Sequence, residues 1–321
     1  MPEFTFEAHP VRVVFGAGRI DCLGDEVERL GAKRALLLCT PGQRTRVEDA
    51  ASRLGGAAAG IFDQAVMHVP LETAEAARAA AKRLNADCCI AIGGGSATGL
   101  AKAIALDCGL PILAVPTTFS GSEMTPVWGL TEGGIKTTGR DVRVLPKTVI
   151  YDPELTLSLP PAAAGTSGIN AMAHAVEALY AENANPIASL MAEESLRALA
   201  ASLPKIIAEP ANLEARSEAL YGAWLAGMVL SLVGVALHHK LCHTLGGSFG
   251  LPHAETHSLI LPHVAAYNAP AAPDAMARVA RALGAENAPG GLYDLARAVG
   301  AKMALSELGM READLDRATD I

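Results

Sequence analysis

The chain has 321 residues, half of them apolar and few aromatic, with a formal net charge of −8. Such a length fills one large core or two ordinary ones, and the apolar fraction excludes a disordered chain. The acidic balance argues against a nucleic-acid partner, because phosphate recognition needs clustered Lys and Arg.

The opening MPEFTFEAHPVRVVFGAG lacks the basic flank and apolar run of a signal peptide. FTFE (4–7) and VRVVF (11–15) predict a pair of strands near Pro10. RALLLCT (34–40) predicts a short buried strand, followed by a helix around 44–54. GIFD (60–63) is a further strand, and Pro70 precedes a helix running through about 84. CCIAIGGG (88–95) is an apolar strand that runs into glycines, with a helix over about 97–106. PILAVPTT (111–118) and KTVIYDP (147–153) supply two more strands. Strands alternating with helices in this way predict an α/β domain with a mainly parallel, Rossmann-like sheet.

Beyond DPELTLSLPPAAAG (152–165) the texture changes. Helical patterns cover 166–182, 187–203, 213–233, 235–246, 255–267, 273–284 and 291–301, with almost no strand-like runs between them. The expected division is a dinucleotide-binding domain over 1–157 and an all-α domain over 158–321. The last residues, READLDRATDI, stop inside a helical pattern with no Gly or Pro terminator, so a further C-terminal piece is expected. No apolar run reaches the roughly 18–20 residues that span a bilayer, and no membrane partner is expected. The six cysteines (Cys22, Cys39, Cys88, Cys89, Cys108 and Cys242) have no repeated spacing. They read as free thiols of a reducing cytoplasm.

IAIGGGSATGLAK (90–102) is a strand that ends in Gly93, Gly94, Gly95 and Ser96 and passes at once into a helix. Glycines let backbone approach a ligand, and free N–H groups at a helix start favour phosphate. The spacing is neither the dinucleotide GxGxxG nor the P-loop, so a ligand-free tight turn is the competing reading. VPTTFSGSEMTP (115–126) follows the next strand and brings Thr117, Thr118, Ser120, Ser122 and Thr125. Two polar loops at the carboxyl ends of neighbouring strands are where an open α/β sheet binds its ligand. A cofactor contact is favoured. In LLLCTPGQ, Thr40 stands where a carboxylate would hold a ribose 2′-hydroxyl and repel a 2′-phosphate. NADH and NADPH both remain open.

The stretch GVALHHKLCHTLGGSFGLPHAETH (234–257) holds five of the nine histidines. His239 and His243 share one helix face, and the Gly246-Gly247 break followed by Pro252 turns the chain so that His253 can return. In TSGINAMAHAVEALYA (166–181), Thr166 or Ser167 is expected to cap a helix on which Asn170 and His174 share a face. A lone helical histidine is usually structural; two such pairs and a returning histidine predict a site.

GGGSATGLAK, PTTFSGSE, GINAMAHAVEALY and ALHHKLCHTLGGSFGLPHAETHSLILPHVAAYNAP together resemble the iron-containing alcohol dehydrogenase family, in order over nearly the whole chain. FTFEAHPVRVVFGAG, CTPGQR, MTPVWGLTE and KTTGRDVRVLPKTVIYDPELT resemble the branch that reduces maleylacetate, an enone with a carboxylate at each end. The resemblance implies dehydroquinate synthase-like architecture, a nicotinamide cofactor and a homodimer. It also implies metal ligands, one Asp and three His, at the positions of Asn170, His174, His239 and His253. Asn170 replaces the carboxylate, and an amide is a poor ligand for a hard divalent ion. Gly99 replaces a second family Asp, in the glycine-rich motif. No metal is therefore favoured; iron or zinc on His174, His239 and His253 is the alternative. Lys136 falls where the family has a lysine near the cofactor, and His243 where it has a non-ligand histidine beside the nicotinamide.

The reaction so implied is reduction of the maleylacetate double bond to 3-oxoadipate, in aromatic-compound degradation. His243 is the expected proton donor, with His239, His174 and His253 as hydrogen-bond donors to a small dicarboxylate. A metal-dependent alcohol or aldehyde dehydrogenase of the same family is the second reading, and a dehydroquinate synthase-like lyase the third.

Overall fold

The computed structural model describes residues 3–321, which divide into two compact units. Residues His9–Thr156 form one; Leu157–Ile321, with the N-terminal residues through Ala8, form the other.

The first unit is built on β1 (Arg12–Phe15), β2 (Ala35–Leu38), β3 (Ala58–Phe62), β4 (Cys88–Gly93), β5 (Ile112–Pro116), β6 (Val127–Glu132), β7 (Ile135–Arg140) and β8 (Thr148–Tyr151). Its helices are α1 (Leu23–Arg29), α2 (Arg44–Leu54), α3 (Leu71–Arg83) and α4 (Gly95–Cys108). Six strands form one parallel sheet in the order β1-β8-β5-β4-β2-β3. Its central strands are apolar on both faces because both are covered. Leu36, Leu38, Cys89 and Ala91 pack with α3 and α4, whereas Ala35, Leu37, Ile90 and Ile92 face α1 and α2. The strand order reverses between β2 and β4, so the carboxyl ends of these two strands flank the switch point.

Two local features depart from the sequence reading. FTFE (4–7) is not a strand; Phe4 and Phe6 are exposed, and β1 starts at Arg12 and pairs only with β8. The antiparallel hairpin β6–β7 was not expected at all. Its turn is Gly133-Gly134, both at positive φ (56° and 81°), as a two-residue hairpin turn demands.

The second unit contains α5 (Pro161–Ala178), α6 (Pro186–Ala208), α7 (Leu213–Leu232), α8 (Leu237–Phe249), α9 (His253–Asn268), α10 (Pro273–Leu283), α11 (Ala288–Ala298) and the short α12 (Leu315–Thr319). Helix α5 is its buried axis. Close packing there depends on glycine: a Cβ on Gly168 would lie 2.4 Å from Leu203 Cδ2, and one on Gly165 2.6 Å from Val299 Cβ. The helix starts at Pro161, whose fixed φ suits the first helical position, so Thr166 and Ser167 are interior residues and not caps. The Thr166 hydroxyl instead donates to Ala162 O (3.2 Å). Among the described residues no single helix is long and apolar enough to cross a membrane.

Candidate active site

In the first unit the glycine-rich turn and the hydroxyl-rich loop come together because β4 and β5 are neighbours, with Gly93 paired to Pro116. Gly93 has φ 150°, a conformation that a side chain would strain. Gly94 is the N-cap of α4, and Gly95 and Ser96 open the helix, leaving its first N–H groups for an anion. Thr117 N–H donates to Gly93 O (3.0 Å), which locks one loop to the other. A Cβ on Gly94 would meet Thr118 Oγ1 at 2.9 Å. Gly94→Ala should therefore push Thr118 aside and raise KM for the nicotinamide cofactor about 10-fold, about 1.4 kcal/mol of lost binding, with little change in kcat or melting temperature. Steady-state kinetics with a thermal melt check this; an unchanged KM removes the turn from cofactor binding.

Lys102 holds the second loop in shape. Its buried ammonium donates to Ser122 O (2.7 Å), Thr125 Oγ1 (3.0 Å) and Val127 O (2.7 Å), one acceptor for each N–H. Burial lowers its pKa to about 7 against the opposing pull of Glu123. The sequence motif contained Lys102 but gave no sign of this role. Thr40 lies just beyond β2, half-buried, at the switch point. Lys136 stands on β7 and not on either loop; a Cβ on Gly129 would be 3.1 Å from its Cε. Burial lowers the Lys136 pKa.

In the second unit the histidines converge from three helices. His174 comes from α5, His239 and His243 from α8, and His253 opens α9. His239 Nε2 lies 2.7 Å from His174 Nδ1, with the rings stacked at 4.8 Å. The His243 ring is 6.1 Å from that of His239. His253 joins through His257, whose ring centre is 4.4 Å from His253 and 5.0 Å from His239.

Three members escaped the sequence reading. Glu177, one turn beyond His174 on α5, is buried and accepts from His239 Nδ1 at 2.6 Å. It also accepts from the backbone N–H groups of Ala236 (2.8 Å) and His238 (2.7 Å), the start of α8. Burial pushes this carboxyl up, but the hydrogen bonds from His239 and those two N–H groups together hold it below the usual range. His238 and His257 form a buried pair, Nε2 to Nδ1 at 2.9 Å, beside the Cys242 thiol. Burial, followed by the neighbouring imidazoles, lowers both pKa values well below the ordinary one, so the pair is neutral. The i,i+3 spacing of His174 and Glu177, and the i,i+4 spacing of His253 and His257, were the available signals.

A parallel nucleotide-binding sheet followed by a helical unit with this histidine set defines an iron-containing alcohol dehydrogenase fold. Residues 10–153 match the iron-containing alcohol dehydrogenase model and residues 164–321 the C-terminal model of the Fe-containing alcohol dehydrogenase family. The chain belongs to that family. Within it, the chain is 57% identical to maleylacetate reductase of Sphingobium indicum over 98% of its own length and 90% of that protein. It is 57% identical to maleylacetate reductase of Burkholderia cepacia over its full length and 91% of that protein. The crystal structure of maleylacetate reductase from Agrobacterium tumefaciens superposes with TM-score 0.96 at 52% identity, covering 100% of this chain and 91% of that one.

The family's ion would be held at Asn170, His174, His239 and His253. These residues do not fit a divalent cation. The set holds no anionic donor, and Asn170 Oδ1 is buried with no hydrogen-bond partner among the described residues. His239 Nε2 and His174 Nδ1 are 2.7 Å apart, a hydrogen-bond distance. Two nitrogen ligands on one tetrahedral zinc stand about 3.3 Å apart.

Proposed function

We propose that the protein reduces maleylacetate to 3-oxoadipate with NADH or NADPH, without a metal, as a cytoplasmic homodimer. The observation that carries the choice among the family's reactions is Asn170, an amide at the carboxylate position of a histidine-rich site. Full-length similarity to maleylacetate reductases supports the same substrate.

The nicotinamide, when bound, supplies hydride at C4 to the alkene carbon β to the ketone. The chain must then stabilise an enolate and protonate its α carbon. His253 and a protonated His174, the latter through its Nε2–H, serve as hydrogen-bond donors to the developing oxyanion, the work that a Lewis acid does elsewhere in the family, while His239 orients His174. His243 delivers the proton, because imidazole titrates near working pH. The substrate's carboxylates suit a pocket rich in imidazole N–H groups, which a neutral alcohol would not need.

The test is oxidation of NADH by maleylacetate, before and after exhaustive dialysis against chelator. Full activity in both states is expected. Loss on dialysis with recovery on adding iron or zinc would overturn the metal-free reading, and no oxidation in either state would overturn the substrate. Neither a carboxylate at Thr40 nor an unpaired Arg44, which holds Glu48 and Asp63, selects between the two cofactors. The kcat/KM values for NADH and NADPH should therefore differ by no more than about 10-fold, or about 1.4 kcal/mol.

A further inference from the structure

We infer that Glu177 is a positioning residue that fixes the tautomers of both His239 and His174. The inference deepens the reading above, since it concerns the histidines assigned there to the enolate.

Ionised Glu177 has no proton to give, so the 2.6 Å contact requires His239 to carry its hydrogen on Nδ1. A neutral His239 then presents a bare Nε2. That atom lies 2.7 Å from His174 Nδ1, so His174 must be the donor and carries its own hydrogen on Nδ1. One buried carboxylate thus sets two rings in series. It is itself over-determined: its two oxygens take three N–H donors, and two of these are backbone groups at the positive end of α8. Neither oxygen can turn away without leaving a buried N–H unpaired. The carboxylate, ring and ring are held as a rigid unit across α5 and α8.

An alanine at 177 separates this role from capping. It removes the acceptor for His239 Nδ1, so nothing holds the hydrogen there, and a ring that moves it to Nε2 turns His174 with it. A residue that only capped α8 would leave the rings as they are.

The experiment is long-range 1H–15N correlation of the ring nitrogens in 15N-histidine-labelled protein without substrate, assigned with His174→Gln and His239→Gln. The wild type should show hydrogen on Nδ1 and a bare Nε2 at His239, and hydrogen on Nδ1 at His174. Glu177→Ala should lose the single Nδ1 tautomer at His239 and lower kcat about 10–100-fold, the usual range for a group that orients a functional histidine, with KM for maleylacetate little changed. Glu177→Asp, which keeps the charge, should restore the wild-type ring pattern and part of kcat. A wild-type His239 with hydrogen on Nε2 overturns the inference even if Glu177→Ala does not fold. So does a folded Glu177→Ala that keeps the wild-type ring pattern, whatever its kcat. Failure to oxidise NADH with maleylacetate would instead leave the ring pattern intact and count only against the substrate.

Discussion

His243→Ala is expected to lower kcat for maleylacetate reduction about 10²–10⁴-fold, the range for losing a positioned general acid, while the thermal midpoint stays close to wild type. His243 sits one turn after His239 on α8, and it is half-buried where His239 is 3% exposed. Their ring planes meet at 75° with centres 6.1 Å apart, so the two are neighbours without sharing a proton in the way His239 and His174 do. This separation divides the labour. His239 and His174 are committed to each other and to Glu177, whereas His243 lies outside that chain and can give up a proton without breaking it. Binding should survive the truncation, because the proposed contacts to the substrate's carboxylates are left to the other imidazoles, so kcat and kcat/KM should fall together. Full turnover in His243→Ala would remove it from the mechanism and leave proton delivery to the Glu177-linked pair.

Much of the first unit was legible because its signals are local. A doubly covered parallel strand must be apolar throughout, and β2 and β4 read that way directly. Other features depended on partners that lie far away in sequence. FTFE alternates like a strand, but alternation cannot tell whether an edge is available to pair with it, and β1 takes the edge beside β8. The β6–β7 hairpin hid behind threonines and glycines, although Gly133-Gly134 marks its turn. The histidines were conspicuous as residue types. Glu177 was not, because a single glutamate in an alanine-rich helix looks like a solvated charge until α8 is seen to begin on top of it.

The two missing family carboxylates differ in how the fold has absorbed them. A Cβ on Gly99 would lie 2.8 Å from Val69 Cγ2, and His68 and Val69 both hold positive φ (65° and 48°) to place that side chain. The segment is pinned by the Thr131 hydroxyl on His68 O (2.8 Å). Apolar packing has therefore filled the space at Gly99, and restoring an aspartate there would clash. Asn170 is the opposite case. Its Oδ1 is buried and has no hydrogen-bond partner among the described residues, so a polar atom is still held there with nothing to satisfy it.

Asn170→Asp should consequently convert the site into a metal centre. Without an ion, the new carboxylate is buried beside groups that do not solvate it, at a cost of about 1–3 kcal/mol. Burial raises its pKa above the ordinary value of about 4, so the folded state holds the proton longer than the unfolded one. The metal-free variant should therefore lose stability relative to wild type as pH rises above about 4. Zinc or iron reverses the sign. The carboxylate supplies the anionic donor that the three imidazoles lack, and His174 and His239 must exchange their 2.7 Å hydrogen bond for a shared ion. Metal at about 100 times Kd would stabilise the variant by about 2.7 kcal/mol. Elemental analysis after dialysis should find close to one equivalent in the variant and far less in wild type, with the melting temperature of the variant alone rising on metal addition. Equal metal content and equal shifts in the two proteins would show that residue 170 does not decide metal binding, and would return the histidines to the role of ligands.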